Sequence, residues 1–324
     1  MLIVLIVLGA CKREEPEKLL DTGWFEDTDG FSEEGCPNRV EATVPEGGET
    51  DWYWRDVPRL FTSNRNEAAY DAFLLDADGY RLDSTLAWDA ESLRFDVVPA
   101  APLAAATDHI LRVVDCNGTR EVPFRTSELG APIVGGPESL QGRAFSLDLG
   151  GATWLEPGGV APLLTLFFDA PVLIGVPLAT DDQLHLNLAL GVEDSEGNLS
   201  QDPVEDAVPF PLVDFGGQPY FEAEAPAVDL DFSGVRIPVY SFAFSGTFGP
   251  NGNRIGGGTV RGIGDTRYAG PLLGSSNPET VCTTAAGLGV QCMACPTDGQ
   301  PYCLPVSVED IEGVYVPGLT IRSL

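Results

Sequence analysis

The sequence predicts an all-β protein made of two successive β-rich units with one short helix. Three observations predict it. Short apolar segments that alternate with polar residues recur along the chain, the period of half-buried strands. Gly 37 and Pro 26 supply turn signals between them. The length of 324 residues and a hydrophobic content of 44% leave room for two cores.

The charge restricts the partners. Asp and Glu number 49 against 18 Lys and Arg, a formal charge of -31. Such a surface repels phosphate backbones and lacks the basic patch that docks on anionic lipid, so no nucleic-acid partner is expected. It favours solubility and a loose attraction of cations.

Residues 1–11, Met1-Leu2-Ile3-Val4-Leu5-Ile6-Val7-Leu8-Gly9-Ala10-Cys11, are an apolar run that ends in small residues and a cysteine. The run is too short to span a bilayer, which takes about 20 residues. It fits the apolar region of a signal peptide. Leu8-Gly9-Ala10-Cys11 resembles a bacterial lipobox. The resemblance implies lipidation of Cys11 and attachment to a membrane through that lipid. Lys12 follows the cysteine, and by analogy with lipoproteins this favours the outer membrane or cell surface. Residues 12–35, rich in acid and Gly, read as a flexible tether.

Residues 36–131 hold seven strand candidates: Arg39–Val44, Val57–Phe61, Ala72–Leu75, Arg81–Trp88, Leu93–Val98, His109–Val114 and Glu121–Phe124. Asp78-Gly79 and Asn117-Gly118 are hairpin signals. This is the pattern of an Ig-like β-sandwich. Val44-Pro45-Glu46-Gly47-Gly48, Leu60-Phe61, Asp76-Ala77-Asp78-Gly79 and Phe95-Asp96-Val97-Val98-Pro99 are similar to an SbsA-type bacterial Ig-like domain. So are Pro102-Leu103, the run Thr107 to Val113, and the exit Phe124 to Gly130, with His109 where the family usually places an aromatic ring. The resemblance implies a spacer or interaction module on a cell surface.

Ala131 to Pro137 reads as a linker, and residues 138–324 as a second β-rich domain, sandwich or open barrel, with a short Cys-stapled helix. Its strand candidates are Arg143–Leu149, Leu163–Phe168, Val172–Val176, Leu184–Leu190, Val228–Phe232, Val235–Phe248 and Arg254–Gly264. Glu193 to Asn198 and Pro250-Asn251-Gly252 are turns. Asn277 is expected to cap the helix, with Pro278 in its first position and Gly287 at its end. The Gly256-Gly257-Gly258 stretch lacks the Lys of a phosphate loop and reads as a twisted or bulged hairpin. Phe244 to Phe248, these glycines and Asp265-Thr266-Arg267 resemble a domain of myxobacterial-type lipoproteins, a resemblance that implies no activity.

Of seven cysteines, six remain once Cys11 is set aside. Cys36 and Cys116 lie in the first unit, and a bridge between them would close a loop of roughly 80 residues, worth about 4 kcal/mol. Cys282, Cys292, Cys295 and Cys303 lie in the second. Their spacing suits two disulfides in an exported domain, or a four-thiolate zinc site with Cys292-Met293-Ala294-Cys295 as its knuckle. All six are disulfide candidates, and no metal or other cofactor is expected.

The signals of catalysis are thin. His109 and His185 sit in strand patterns of different units, and no G-x-S-x-G elbow occurs. Asp27 to Gly30, Asp76 to Gly79 and Glu193 to Glu196 offer oxygen clusters without the full calcium-loop pattern and read as acidic turns. Trp52-Tyr53-Trp54 could hold a sugar or peptide, but packing is the commoner use of such a cluster. The expectation is a non-enzymatic, lipid-anchored protein with a structural or interaction role, whose partners are other cell-surface proteins or glycans. A C-terminal domain that holds an apolar or sugar ligand is the alternative.

Overall fold

A computed structural model describes residues 36–158, 171–232 and 234–322. Cys11, the tether 12–35 with its Asp27 to Gly30 turn, and the expected strand Leu163–Phe168 lie outside the described residues. The protein is all-β, and among the described residues no helix is long and apolar enough to cross a membrane.

The first unit holds β1 (Val40–Val44), β2 (Arg59–Thr62), β3 (Asp71–Leu75), β4 (Ser84–Asp89), β5 (Arg94–Pro99), β6 (Asp108–Asp115) and β7 (Gly118–Arg125). One sheet has the order β1-β2-β5-β4 and the other β3-β6-β7. This is the strand order of a constant-type immunoglobulin sandwich. The alternating apolar residues meet between the sheets, where Leu60, Leu74, Phe95, Val97 and Leu111 are buried. Local chemistry sets the turns. The Asp76 carboxylate accepts the N–H groups of Asp78 and Tyr80, and Gly79 follows at φ 84°. Asp115 accepts the N–H of Asn117 in the β6–β7 hairpin, where Gly118 sits at φ 103°.

The second unit holds β8 (Ala144–Asp148), β9 (Thr153–Glu156), β10 (Val172–Ala179), β11 (Leu184–Glu193), β12 (Leu199–Gln201), β13 (Val208–Val213), β14 (Tyr220–Phe232), β15 (Val235–Phe248), β16 (Arg254–Asp265) and β17 (Cys303–Tyr315). They form one antiparallel sheet in the order β12-β11-β10-β8-β17-β16-β15-β14, with β13 on β11 and β9 on β17. The sheet curls until its ends touch. Asp214, just past β13, and Glu222 of β14 exchange both backbone hydrogen bonds, at 2.8 and 3.0 Å. The result is an open barrel joined at that bridge. Phe145, Phe221 and Phe248 are fully buried inside it, with ring centroids 4.9 to 5.6 Å apart. A smaller cluster of Ala144, Leu173, Ala189, Leu319 and Ile321 forms separately from that core.

Several expectations need correction. The helix α1 spans Thr280–Gly287. Asn277 does not cap it: its Oδ1 accepts the Glu279 N–H in a turn of its own, and Pro278 precedes the helix. Gly287 does end it. The long strand β17, at the centre of the sheet, has no counterpart among the sequence expectations, nor do β9, β12 and β13. Pro305 and Gly313 interrupt the alternation of β17, and Pro209 and Pro211 that of β13.

Candidate functional site: the junction of the two units

The segment between β1 and β2 builds the junction. Residues up to Trp52 run beside the end of β7: the Trp52 N–H donates to the Arg125 carbonyl, and the Ser127 N–H donates to the Trp52 carbonyl. The Trp52 ring is buried in the sandwich core, edge-on to Phe124 at 6.2 Å. The next two rings leave that core and enter the barrel wall. Tyr53 Oη lies 2.7 Å from Thr247 Oγ1, and Trp54 Nε1 donates to the same oxygen at 3.4 Å. Arg55 stacks its guanidinium 3.7 Å from the Tyr220 ring centroid. The Trp52-Tyr53-Trp54 cluster is thus core and joint.

The glycines opposite make this fit possible. Gly257 has φ 57°, and a Cβ there would fall 2.2 Å from Tyr53 Cζ. A Cβ on Gly256 would fall 2.5 Å from Leu129, and one on Gly130 would fall 2.6 Å from the Trp54 ring. The β16–β17 register shifts on both sides of Gly258, so the glycine run is a bulged stretch of hairpin onto which the first unit docks. The linker is tied down too: the Val134 N–H donates to the Pro250 carbonyl, and Ile133 joins the barrel core.

Two titrations shift at the joint. Desolvation pushes the Tyr53 hydroxyl up to about 12, against the opposing pull of its Thr247 hydrogen bond. Asp56 is exposed, yet desolvation by the surrounding chain, with the Asp310 carboxylate second, pushes it up to about 6. Arg59 acts in the opposite direction, and Glu309 and Glu49 reinforce the rise.

Beside the joint lies an open polar cleft of ≈ 500 Å³, walled by both units. The barrel contributes Arg254, and the sandwich contributes Asp51, Arg125, Ser127 and Glu128 among others. Neither histidine lines it. His109 is buried beside Phe124, its Nε2 3.4 Å from the Ala104 carbonyl, and burial holds its pKa down. Among the described residues, no histidine, lysine or cysteine lines the cleft.

All six expected cysteines pair. Cys36–Cys116 ties the start of the sandwich to the β6–β7 turn. Cys282–Cys292 and Cys295–Cys303 staple the excursion between β16 and β17. These bonds leave no thiolates for a four-sulfur zinc site. Asp265 approaches Cys295 and Cys303, but those sulfurs are bonded to each other. The Asp265 carboxylate accepts from Arg267, which also pairs with Asp298 and so fastens the excursion to the barrel. The acidic turns are likewise occupied, since Asp194 accepts the N–H groups of Glu196 and Asn198.

The cleft was not among the sequence expectations. Arg125, Ser127 and Arg254 carry no local motif, and only the docking of the units brings Arg254 to the other two.

No protein-family model matches the chain, and no curated protein matches it in sequence. Among solved structures it is similar to CopC from Methylosinus trichosporium OB3b, with TM-score 0.24 and 16% identity over 28% of this chain and 93% of that chain.

Proposed function

We propose that this is an extracytoplasmic lipoprotein with a structural or interaction role, held to the outer membrane or cell surface through a lipid on Cys11, with the Ig-like unit as spacer. One observation carries the reading. The six cysteines of the described residues form three disulfides, as an oxidising compartment favours, and Cys11 is the cysteine left over, within Leu8-Gly9-Ala10-Cys11. The junction supports the spacer role. A sandwich docked through Tyr53, Trp54 and Arg55 transmits position to the barrel, which a flexible linker would not.

Other cell-surface proteins or glycans are the partners this reading offers, and the acidic surface disfavours nucleic acid. An apolar ligand inside the barrel gains no support, because phenylalanine side chains fill its core. Cell fractionation of a Cys11→Ala variant tests the proposal. The wild-type chain is expected in the membrane fraction and the variant outside it. Identical distribution of the two chains contradicts the lipid anchor.

A further inference from the structure

The cleft between the units has features that neither the joint nor the anchor explains. Two guanidinium groups, Arg125 and Arg254, line one cleft of a protein whose charge is -31. Arg125 spends one nitrogen on Asp108, at 2.9 Å, and keeps its other donors. Arg254, half-buried, has no ion-pair or side-chain hydrogen-bond partner among the described residues. The same lining carries two carboxylates, Asp51 and Glu128, so its formal charge balances.

A second observation is independent of charge. Ala106, in the same lining, holds φ 52°, a left-handed conformation that non-glycine residues rarely adopt, while its N–H donates to the Ser127 carbonyl. Strain of this kind persists where the surroundings impose it, and it gathers at ligand sites.

We propose that this cleft binds a small zwitterion, an amino acid or short peptide with free termini. Its carboxylate meets Arg125 and Arg254, and its ammonium meets Asp51 and Glu128. The chemistry selects this class. Guanidinium forks match a carboxylate in two-point contact. The carboxylates in the same lining repel a phosphate or sulfate dianion and attract an ammonium. No aromatic ring lines the cleft, so the stacking surface that a sugar ring uses is missing. The volume of ≈ 500 Å³ is that of a small-molecule site. The inference does not depend on the lipid anchor.

Calorimetry of the disulfide-intact protein tests it, with alanine, alanyl-alanine, the N-acetylated and the C-amidated dipeptide, and maltose as probes. Saturable binding of a free zwitterion is expected at concentrations up to about 10 mM, with a loss of about tenfold or more when either end is blocked. Arg254→Gln is expected to cause a loss of that size without lowering the melting temperature. No binding of alanine or alanyl-alanine in that range, equal binding of the blocked dipeptides, preference for maltose, or an Arg254→Gln protein that binds as tightly as wild type would overturn the proposal.

Discussion

Gly257 is the residue on which the docking of the two units turns. Its positive φ and the Tyr53 ring above it both exclude a side chain, so Gly257→Ala is expected to lower stability by roughly 2–4 kcal/mol in denaturant unfolding. Gly287 is a fair control: nothing lies within 4 Å of a Cβ there, and it sits in the last turn of α1. Gly287→Ala should be neutral or slightly stabilising. Asp56 makes the joint sensitive to pH. Its folded pKa of about 6 lies above the ordinary carboxylate value, so the folded state holds this proton more tightly than the unfolded chain. The associated stability is complete below about pH 4 and is lost as the pH rises through 6. Asp56→Asn should therefore raise the melting temperature at pH 7.5 and leave it unchanged near pH 4; a gain that persists in acid would contradict this. Little of this was legible residue by residue. Trp52, Tyr53 and Trp54 stand out in the sequence, but the glycines that receive Tyr53 belong to a hairpin some two hundred residues further on.

At the scale of elements, the sequence speaks clearly where the physics is local. Asn117-Gly118 marks the β6–β7 hairpin, and Asp78-Gly79 marks a tight turn closed by one bridge, Leu75 to Arg81, before the chain crosses to the other sheet; in both the glycine supplies the positive φ. The strand Val235–Phe248 shows its full length because a turn bounds each end. The strand β17 was illegible for the opposite reason. Its stability comes from the neighbours β16 and β8, while Pro305, Asp310 and Gly313 break the alternation that would have revealed it. The cysteines are intermediate: their parity was visible and their partners were not. The disulfides should differ in weight. Cys36–Cys116 spans 80 residues and Cys295–Cys303 spans 8, which on loop entropy gives about 4.5 against about 2.5 kcal/mol. Unfolding of the Cys36→Ser/Cys116→Ser and Cys295→Ser/Cys303→Ser double variants should rank in that order. The reverse order would mean that the stapled excursion supports the barrel more than its few buried residues suggest.

At the scale of the whole molecule, an Ig-like sandwich and an open barrel meet at a packed joint, both are stapled by disulfides, and the chain carries a charge that keeps acidic polymers away. The polar cleft belongs to this scale as well, since Arg254 of the barrel completes a lining that the sandwich otherwise supplies. The sandwich was readable from seven short alternating segments; the curl of the barrel was not, because it depends on Asp214 meeting Glu222 after the whole sheet has formed. Intact-mass measurement of the protein extracted from membranes tests the proposed anchor and the disulfides most directly. An acyl chain on Cys11 and three disulfides among the other six cysteines are expected. A protein recovered from the cytosol, without acylation and with all seven thiols free, would contradict this.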